Sequence, residues 1–143
     1  MPVIVFASDH AGFALKEQLR AYVTELGDYI AVDAGAYSEE SVDYPDFGHK
    51  AADTVLSGKA GLGVIVCGSG IGISIAANRH PGIRAALCIT EEMARLSRQH
   101  NDANVLALGA RLTEPETAKK ILKTFLSTPF DGGRHTARVK KLG

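Results

Sequence analysis

A β-branched run, Val64-Ile65-Val66, leads into Cys67 and then directly into a glycine-rich turn over residues 68–72. Valine and isoleucine favour strands, and the glycines permit a tight turn. A helix that begins after such a turn presents free amide N–H groups and positive partial charge, which stabilise a thiolate or an oxyanion. The stretch therefore predicts a strand, a reactive thiol and an anion cradle in succession. It indicates an enzyme whose substrate becomes transiently negative.

Short continuous apolar runs alternate along the chain with segments of helical period. This pattern is typical of a parallel sheet that is covered by helices on both faces. We predict an α/β fold in a single domain over residues 1–143, with a short basic helix in the tail after Pro129. The five predicted strands span approximately 3–8, 29–33, 62–67, 83–89 and 104–108.

The helices between these strands are marked by apolar spacing and by residues typical of helix ends. Leu15, Leu19, Tyr22, Val23 and Leu26 form an inner stripe that Gly27 closes. Pro45 and Gly58 bracket a second helix, and others are expected over 71–78, from Thr90 and from Thr113. Thr113 and Glu116 have the spacing of a capping box.

Composition excludes several classes of partner. Lysine plus arginine equal aspartate plus glutamate at 16 each, so no overall field attracts nucleic acid or an anionic membrane. The apolar segment 3–7 is too short to cross a bilayer and has no basic leader, and we interpret it as a strand. Cys67 and Cys88 both end predicted core strands, which favours a reducing compartment. We expect a soluble, cytoplasmic protein whose anion binding is local.

Three common uses of a glycine loop fail on spacing. A Walker motif needs Gly-Lys-Ser/Thr, whereas Gly68 is followed by Ser69 and Gly70. A dinucleotide fingerprint belongs in the first strand-helix turn, which here is 8–12 without the required glycines. A cysteine phosphatase loop needs arginine where Ile73 stands. We interpret Cys67 as functional, and Cys88 as a buried, inert cysteine.

Polar residues follow the first and fifth strands at the edge where Cys67 lies, because all parallel strands point the same way. Asp9 either caps the helix that begins near Ala11 or faces the thiol, and one carboxylate can do both. No capping role accounts for His10. Arg111 follows the fifth strand at this edge. Asp43 and Tyr44 follow the second strand, and they fit either the site or an ordinary helix start.

The fourth helix returns to the opposite edge, which places His100 roughly 15–20 Å from Cys67 within one subunit. His100 either interacts only with the helix dipole, with Asn101 as a left-handed cap, or reaches the thiol of a second subunit. Arg134 and Arg138 follow the fifth helix four residues apart, and they suit a phosphate.

Five blocks together resemble the ribose-5-phosphate isomerase B family over nearly the whole chain. They are Asp9-His10-Ala11-Gly12, Asp43-Tyr44-Pro45-Asp46, Cys67-Gly68-Ser69-Gly70-Ile71-Gly72, Ser97-Arg98-Gln99-His100-Asn101-Asp102 and Gly132-Gly133-Arg134-His135. The family includes allose-6-phosphate isomerases and galactose-6-phosphate isomerase subunits. The resemblance implies a three-layer Rossmann-like fold without metal or other cofactor. It also implies a homodimer, or a dimer of dimers, with active sites built from two subunits.

By this resemblance, Cys67 is the base that interconverts ribose 5-phosphate and ribulose 5-phosphate through a cis-enediolate, and Ser69 helps to protonate its oxygens. His100, with Asp9 or Asp43, opens the sugar ring. The amides of Gly68, Gly70, Ile71 and Gly72 are expected to stabilise the enediolate, and Asn101 to hold sugar hydroxyls. The phosphate is expected to be bound by His10, Arg111, Arg134 and Arg138, and Asp43 and Tyr44 complete the substrate-binding residues.

Two other functions remain open. The first is isomerisation of a hexose 6-phosphate, either allose or galactose, since the shared blocks specify the reaction better than the sugar. The second is a non-catalytic module that binds a phosphosugar. The presence of Cys67, Ser69 and His100 argues against the module.

Overall fold

A computed structural model describes residues 1–143 and contains a five-stranded, fully parallel sheet, as predicted. The strand order is β2-β1-β3-β5-β4. The strands are β1 (Val3–Ser8), β2 (Ile30–Asp33), β3 (Leu62–Cys67), β4 (Ala85–Leu87) and β5 (Val105–Gly109). β3 therefore lies at the centre, and the residues that follow it are flanked by those that follow β1 and β5.

Six helices cover the sheet. They are α1 (Phe13–Leu26), α2 (Tyr44–Leu56), α3 (Ile71–Asn78), α4 (Glu91–Asn101), α5 (Pro115–Ser127) and α6 (Arg134–Lys140). Alternate strand residues face opposite layers: Val64 packs with α1, α4 and α5, whereas Ile65 packs with α2 and α3. The three-layer Rossmann-like α/β architecture is confirmed, and α6 is the predicted basic helix of the tail.

The outer strands are shorter than predicted. β4 comprises three residues rather than 83–89, and β2 begins at Ile30. β4 is an edge strand that pairs only with β5, and its ladder ends at Leu87 with Ala107. An apolar sequence alone does not show how far its single neighbour extends, and this explains the difference.

Two predicted helix caps are wrong. Glu114, not Thr113, is the N-cap of α5, and the Thr113 hydroxyl is buried without a hydrogen-bond partner. The Thr113 amide bonds to the carbonyl of Gly109, which keeps Thr113 in the turn after β5. Asn101 is still helical, and Asp102 takes the left-handed conformation with φ 49°. An aspartate tolerates this conformation better than most residues.

Lys16 is a buried charge that the apolar spacing of α1 did not predict. Its Nζ lies 2.7 Å from Oδ1 of Asp33 and 2.6 Å from the carbonyl oxygen of Ala36. The ammonium group thereby ties α1 to the loop that leads from β2 towards α2. No helix in the fold is both long and apolar enough to span a bilayer.

Candidate active site

Cys67 is the last residue of β3, and its side chain lies beneath the N-terminus of α3. The backbone amide of Gly70 donates a hydrogen bond to Sγ of Cys67 at 3.2 Å. The residue is only 4% exposed, but it lines an open cavity of about 510 Å³. A substrate in this cavity can therefore reach the thiol, and the helix N-terminus favours negative charge there.

Gly70 has a backbone conformation that other residues rarely adopt. Its φ is 79°, and a Cβ at this position would lie 2.6 Å from Cδ1 of Leu87 and 2.8 Å from the carbonyl carbon of Leu108. Glycine alone fits both requirements. The next amide, of Ile71, bonds to the hydroxyl oxygen of Ser69 at 3.2 Å. The turn therefore presents a hydroxyl and backbone amides beside the thiol.

Three neighbouring segments complete the cavity around Cys67. The amide of Arg111 donates to the carbonyl of Gly68 at 2.9 Å, and its guanidinium lies over that glycine. The ring of Tyr44 packs closely against Gly72. The structure thus brings a cation and a phenol to the predicted edge. The cavity is lined by Asp9, Tyr44, Cys67, Gly68, Ser69, Ile71, Gly72, Arg111 and Leu112.

Asp9 is buried, and its carboxylate accepts a hydrogen bond from the amide of Gly12 at 3.0 Å. It therefore closes the turn before α1 and lines the Cys67 cavity, but the N-cap of α1 is Gly12, so the prediction of Asp9 as the helix cap is wrong. α1 itself begins at Phe13, two residues later than predicted.

His10 and Asp43 do not line the Cys67 cavity. Nδ1 of His10 lies 3.1 Å from the amide nitrogen of Val42 and 3.2 Å from its carbonyl oxygen, so the ring can bond to the backbone of Val42 in either tautomer. His10 thus has a structural role that the sequence did not reveal, since it holds the loop before α2. Asp43 is the N-cap of α2 and lines an adjacent cavity with Asp46 and His49.

A second group of predicted residues lies at the other edge of the sheet. His100, Asn101 and Arg138 line a cavity of about 220 Å³ between α4 and α6. Arg134 lies on α6 but does not line this cavity.

His135 also belongs to this second group, although no separate role was predicted for it. Its ring stacks on that of His100, with centroids 4.4 Å apart and planes 13° apart. Partial burial lowers the pKa of His135, and the charges of His100 and Arg134 act in the same direction. Its position in the block 132–135 was the only available signal.

The two groups are separated along the strands, as predicted. Cys67 pairs with Gly109 at one end of the β3–β5 ladder, and Gly63 pairs with Val105 at the other. Four residue steps along a strand cover about 13 Å. Because α4 ends just before β5, His100 lies near the edge opposite Cys67, so the Cys67 cavity and the His100 group lie apart within one chain.

Cys88 differs from Cys67 in its surroundings. Burial raises the pKa of the Cys88 thiol to about 11, although a hydrogen bond involving Ser97 acts in the opposite direction. Both cysteines are free thiols. Both thiols are buried, and of the two only Cys67 lines the cavity at this edge of the sheet.

Comparisons with known proteins cover almost the whole chain. The ribose/galactose isomerase family model matches residues 4–142. Ribose-5-phosphate isomerase B of Escherichia coli strain K12 is 44% identical over 142 residues, which are 99% of this chain and 95% of the relative.

Solved structures give the same result. Ribose-5-phosphate isomerase B of Clostridium thermocellum has a TM-score of 0.97 and 50% identity, with coverage of 99% of this chain and 95% of the other. The corresponding structure from Thermotoga maritima has a TM-score of 0.96 and 54% identity, with coverage of 99% and 97%. The matched residues include both the Cys67 cavity and the His100 group.

Proposed function

Because this chain belongs to the ribose/galactose isomerase family, we propose that it interconverts ribose 5-phosphate and ribulose 5-phosphate through a cis-enediolate. The observation that carries this proposal is the Cys67 thiol, which accepts the Gly70 amide at the N-terminus of α3 and faces an open cavity. Relatives named as ribose-5-phosphate isomerase B support the choice of a pentose.

Cys67 acts as the base that moves a proton between C2 and C1 of the open-chain sugar. Its sulfur lies at the N-terminus of α3, where the amide of Gly70 donates a hydrogen bond to it. As negative charge develops on the enediolate oxygens, amides of Gly68, Gly70, Ile71 and Gly72 stabilise it. Ser69 helps to protonate these oxygens.

His100 opens the sugar ring, because only the open aldehyde can isomerise. Of the two aspartates expected to assist, Asp9 is favoured, since it lines the cavity beside Cys67 and Asp43 does not. Asn101 and Tyr44 hold sugar hydroxyls. The phosphate is bound by arginine, whose planar guanidinium suits phosphate geometry. Arg111, Arg134 and Arg138 are the arginines of this clamp, with His10 beside them.

A homodimer with two shared sites brings the Cys67 cavity and the His100 group together. His100 and Cys67 lie at opposite edges of one subunit, and a two-fold partner supplies the missing half to each. The surface around α3 and α4 has the apolar character of an interface. Ile71 and Ile75 are about half exposed, and Ile89, Met93 and Leu96 are also exposed. A dimer of dimers would retain this pairing.

The sugar can be identified by a direct assay. The purified protein, in the presence of EDTA, is mixed with ribose 5-phosphate, allose 6-phosphate or galactose 6-phosphate, and the corresponding ketose is measured. We expect the highest kcat/KM for ribose 5-phosphate. A preference for a hexose phosphate would overturn the choice of sugar, and binding of all three without turnover would instead identify a phosphosugar-binding module. Activity that EDTA abolishes would contradict the metal-free mechanism.

The same proposal places the protein in the cytoplasm, since free cysteines are typical of a reducing compartment. Its partners are a small sugar phosphate and a second copy of the chain, not nucleic acid or a membrane.

A further inference from the structure

His100, Asp131 and His135 each bring one atom suited to metal binding, and these atoms all lie within 4.8 Å of one another. His100 comes from the last turn of α4, Asp131 from the loop before α6, and His135 from the first turn of α6. Two imidazoles and one carboxylate form a donor set that borderline divalent cations prefer.

The backbone holds the three residues together. The amide of Asp131 donates to the carbonyl of Gln99 at 3.1 Å, which fastens the loop beside His100. The amide of His135 donates to the carbonyl of Gly132 at 3.1 Å. Tetrahedral zinc requires its ligand atoms to be about 3.3 Å apart. Asp131 is exposed and both histidines are partly exposed, so their side chains have room to rotate to this spacing.

The donor atoms of the cluster and the charges around them determine which kind of cation it binds. Neutral imidazole is the form that binds metal. Arg134 and Arg138 oppose a divalent cation, whereas Asp131 offsets part of their charge. A hard cation such as Mg²⁺ seeks several oxygen ligands, and this cluster offers one carboxylate. Nitrogen ligation therefore favours zinc.

We propose that His100, Asp131 and His135 form a binding site for one zinc ion per chain, and that zinc bound there inhibits turnover by occupying the ring of His100. The inhibitory part rests on the proposed function, in which His100 opens the sugar ring. Zinc is a reversible inhibitor in this proposal and has no part in the isomerisation. The site is distinct in donor type from the phosphate-binding arginines beside it.

Zinc binding is tested without substrate. Metal-free protein in a phosphate-free buffer competes for Zn²⁺ with a chromophoric chelator, and circular dichroism checks the fold of each variant. We expect one zinc per chain, and an affinity at least about tenfold lower in Asp131→Asn and His135→Gln. His80→Gln is the matched control, because His80 belongs to the other close histidine pair, with Nε2 2.7 Å from Nδ1 of His49. Its zinc affinity should be unchanged, and Mg²⁺ should not displace zinc.

Absence of zinc binding, or binding that His80→Gln removes and His135→Gln does not, would overturn the site without affecting the isomerase proposal. The second readout is turnover. Zinc should inhibit the wild-type protein reversibly, with EDTA restoring activity, and Asp131→Asn should need at least about tenfold more zinc. A third outcome is that zinc binds with the expected affinities in all variants and yet leaves turnover unchanged. That result would contradict both inhibition by zinc and the role of His100 in ring opening, and it would support the metal site.

Discussion

The amide of Gly70 donates a hydrogen bond to Sγ of Cys67 across 3.2 Å, at the junction of β3 and α3. The strand fixes the thiol, the helix supplies positive partial charge, and the left-handed glycine between them directs the amide inward. This arrangement depends on local backbone geometry, and a single subunit contains all of it.

Cys67→Ala should lower kcat by about 10²–10⁴-fold, the usual contribution of a positioned general base. The alanine retains the strand and removes only the proton acceptor. Steady-state kinetics with ribose 5-phosphate measure the effect, and Cys88→Ala is the matched control with kcat close to wild type. Full activity in Cys67→Ala would exclude the thiol from the proton transfer.

Gly70→Ala should destabilise the fold by more than about 2 kcal/mol, since a left-handed conformation alone costs about 1–2 kcal/mol for a residue with a Cβ. The added methyl group also meets Leu87 and the backbone of Leu108. Gly58→Ala is the control, because Gly58 has φ 81° with nothing near its Cβ position. Urea denaturation compares the two variants, and equal losses would show that close packing at Gly70 contributes nothing.

Lys16→Met should destabilise the protein by about 3–5 kcal/mol. The carboxylate of Asp33 loses its buried partner and keeps only the contact at 3.4 Å with Arg20, and the buried carbonyl of Ala36 loses its donor. The methionine keeps most of the apolar stem. Chemical denaturation measures the change against Lys123→Met, which alters an exposed lysine of α5. A loss below about 1 kcal/mol, the usual value of a surface pair, would contradict the importance of the Lys16–Asp33 interaction.

Iodoacetamide near neutral pH should label Cys67 in the folded protein and spare Cys88. With the pKa of Cys88 raised to about 11, only about one Cys88 thiol in 10⁴ is ionised at pH 7. Sγ of Cys67 is also open to a cavity. Peptide mass spectrometry gives the two rates, and ribose 5-phosphate should protect Cys67. Comparable labelling of both cysteines would contradict the difference in their environments.

The central strands could be predicted from sequence because they are buried on both sides. β1 and β3 match their predicted bounds, since each is a continuous apolar run with a neighbour on either side. β4 does not match, because an edge strand extends only as far as its single partner allows. The strand, turn and helix around Cys67 were also predictable, because the residues that specify them are adjacent in the sequence.

Long-range polar contacts were not predictable. The hydrogen bond between His10 and Val42 joins residues 32 positions apart, and the stacking of His135 on His100 depends on how α6 docks against α4. Lys16 stands where the helical spacing offers no reason to bury a charge. Its partners are Asp33, at the end of β2, and Ala36, in the loop that follows. Such contacts follow from tertiary packing, which apolar periodicity does not encode.

Subunit mixing tests the shared active site most directly. Cys67→Ala and His100→Ala proteins, each inactive alone, are mixed, allowed to exchange subunits and assayed with ribose 5-phosphate. Half of the dimers should then be mixed, each with one intact site of two, so activity should rise to about a quarter of the wild-type value. Activity that stays at the level of the separate variants, while mass spectrometry detects mixed dimers, would contradict a site formed by Cys67 of one subunit and His100 of its partner.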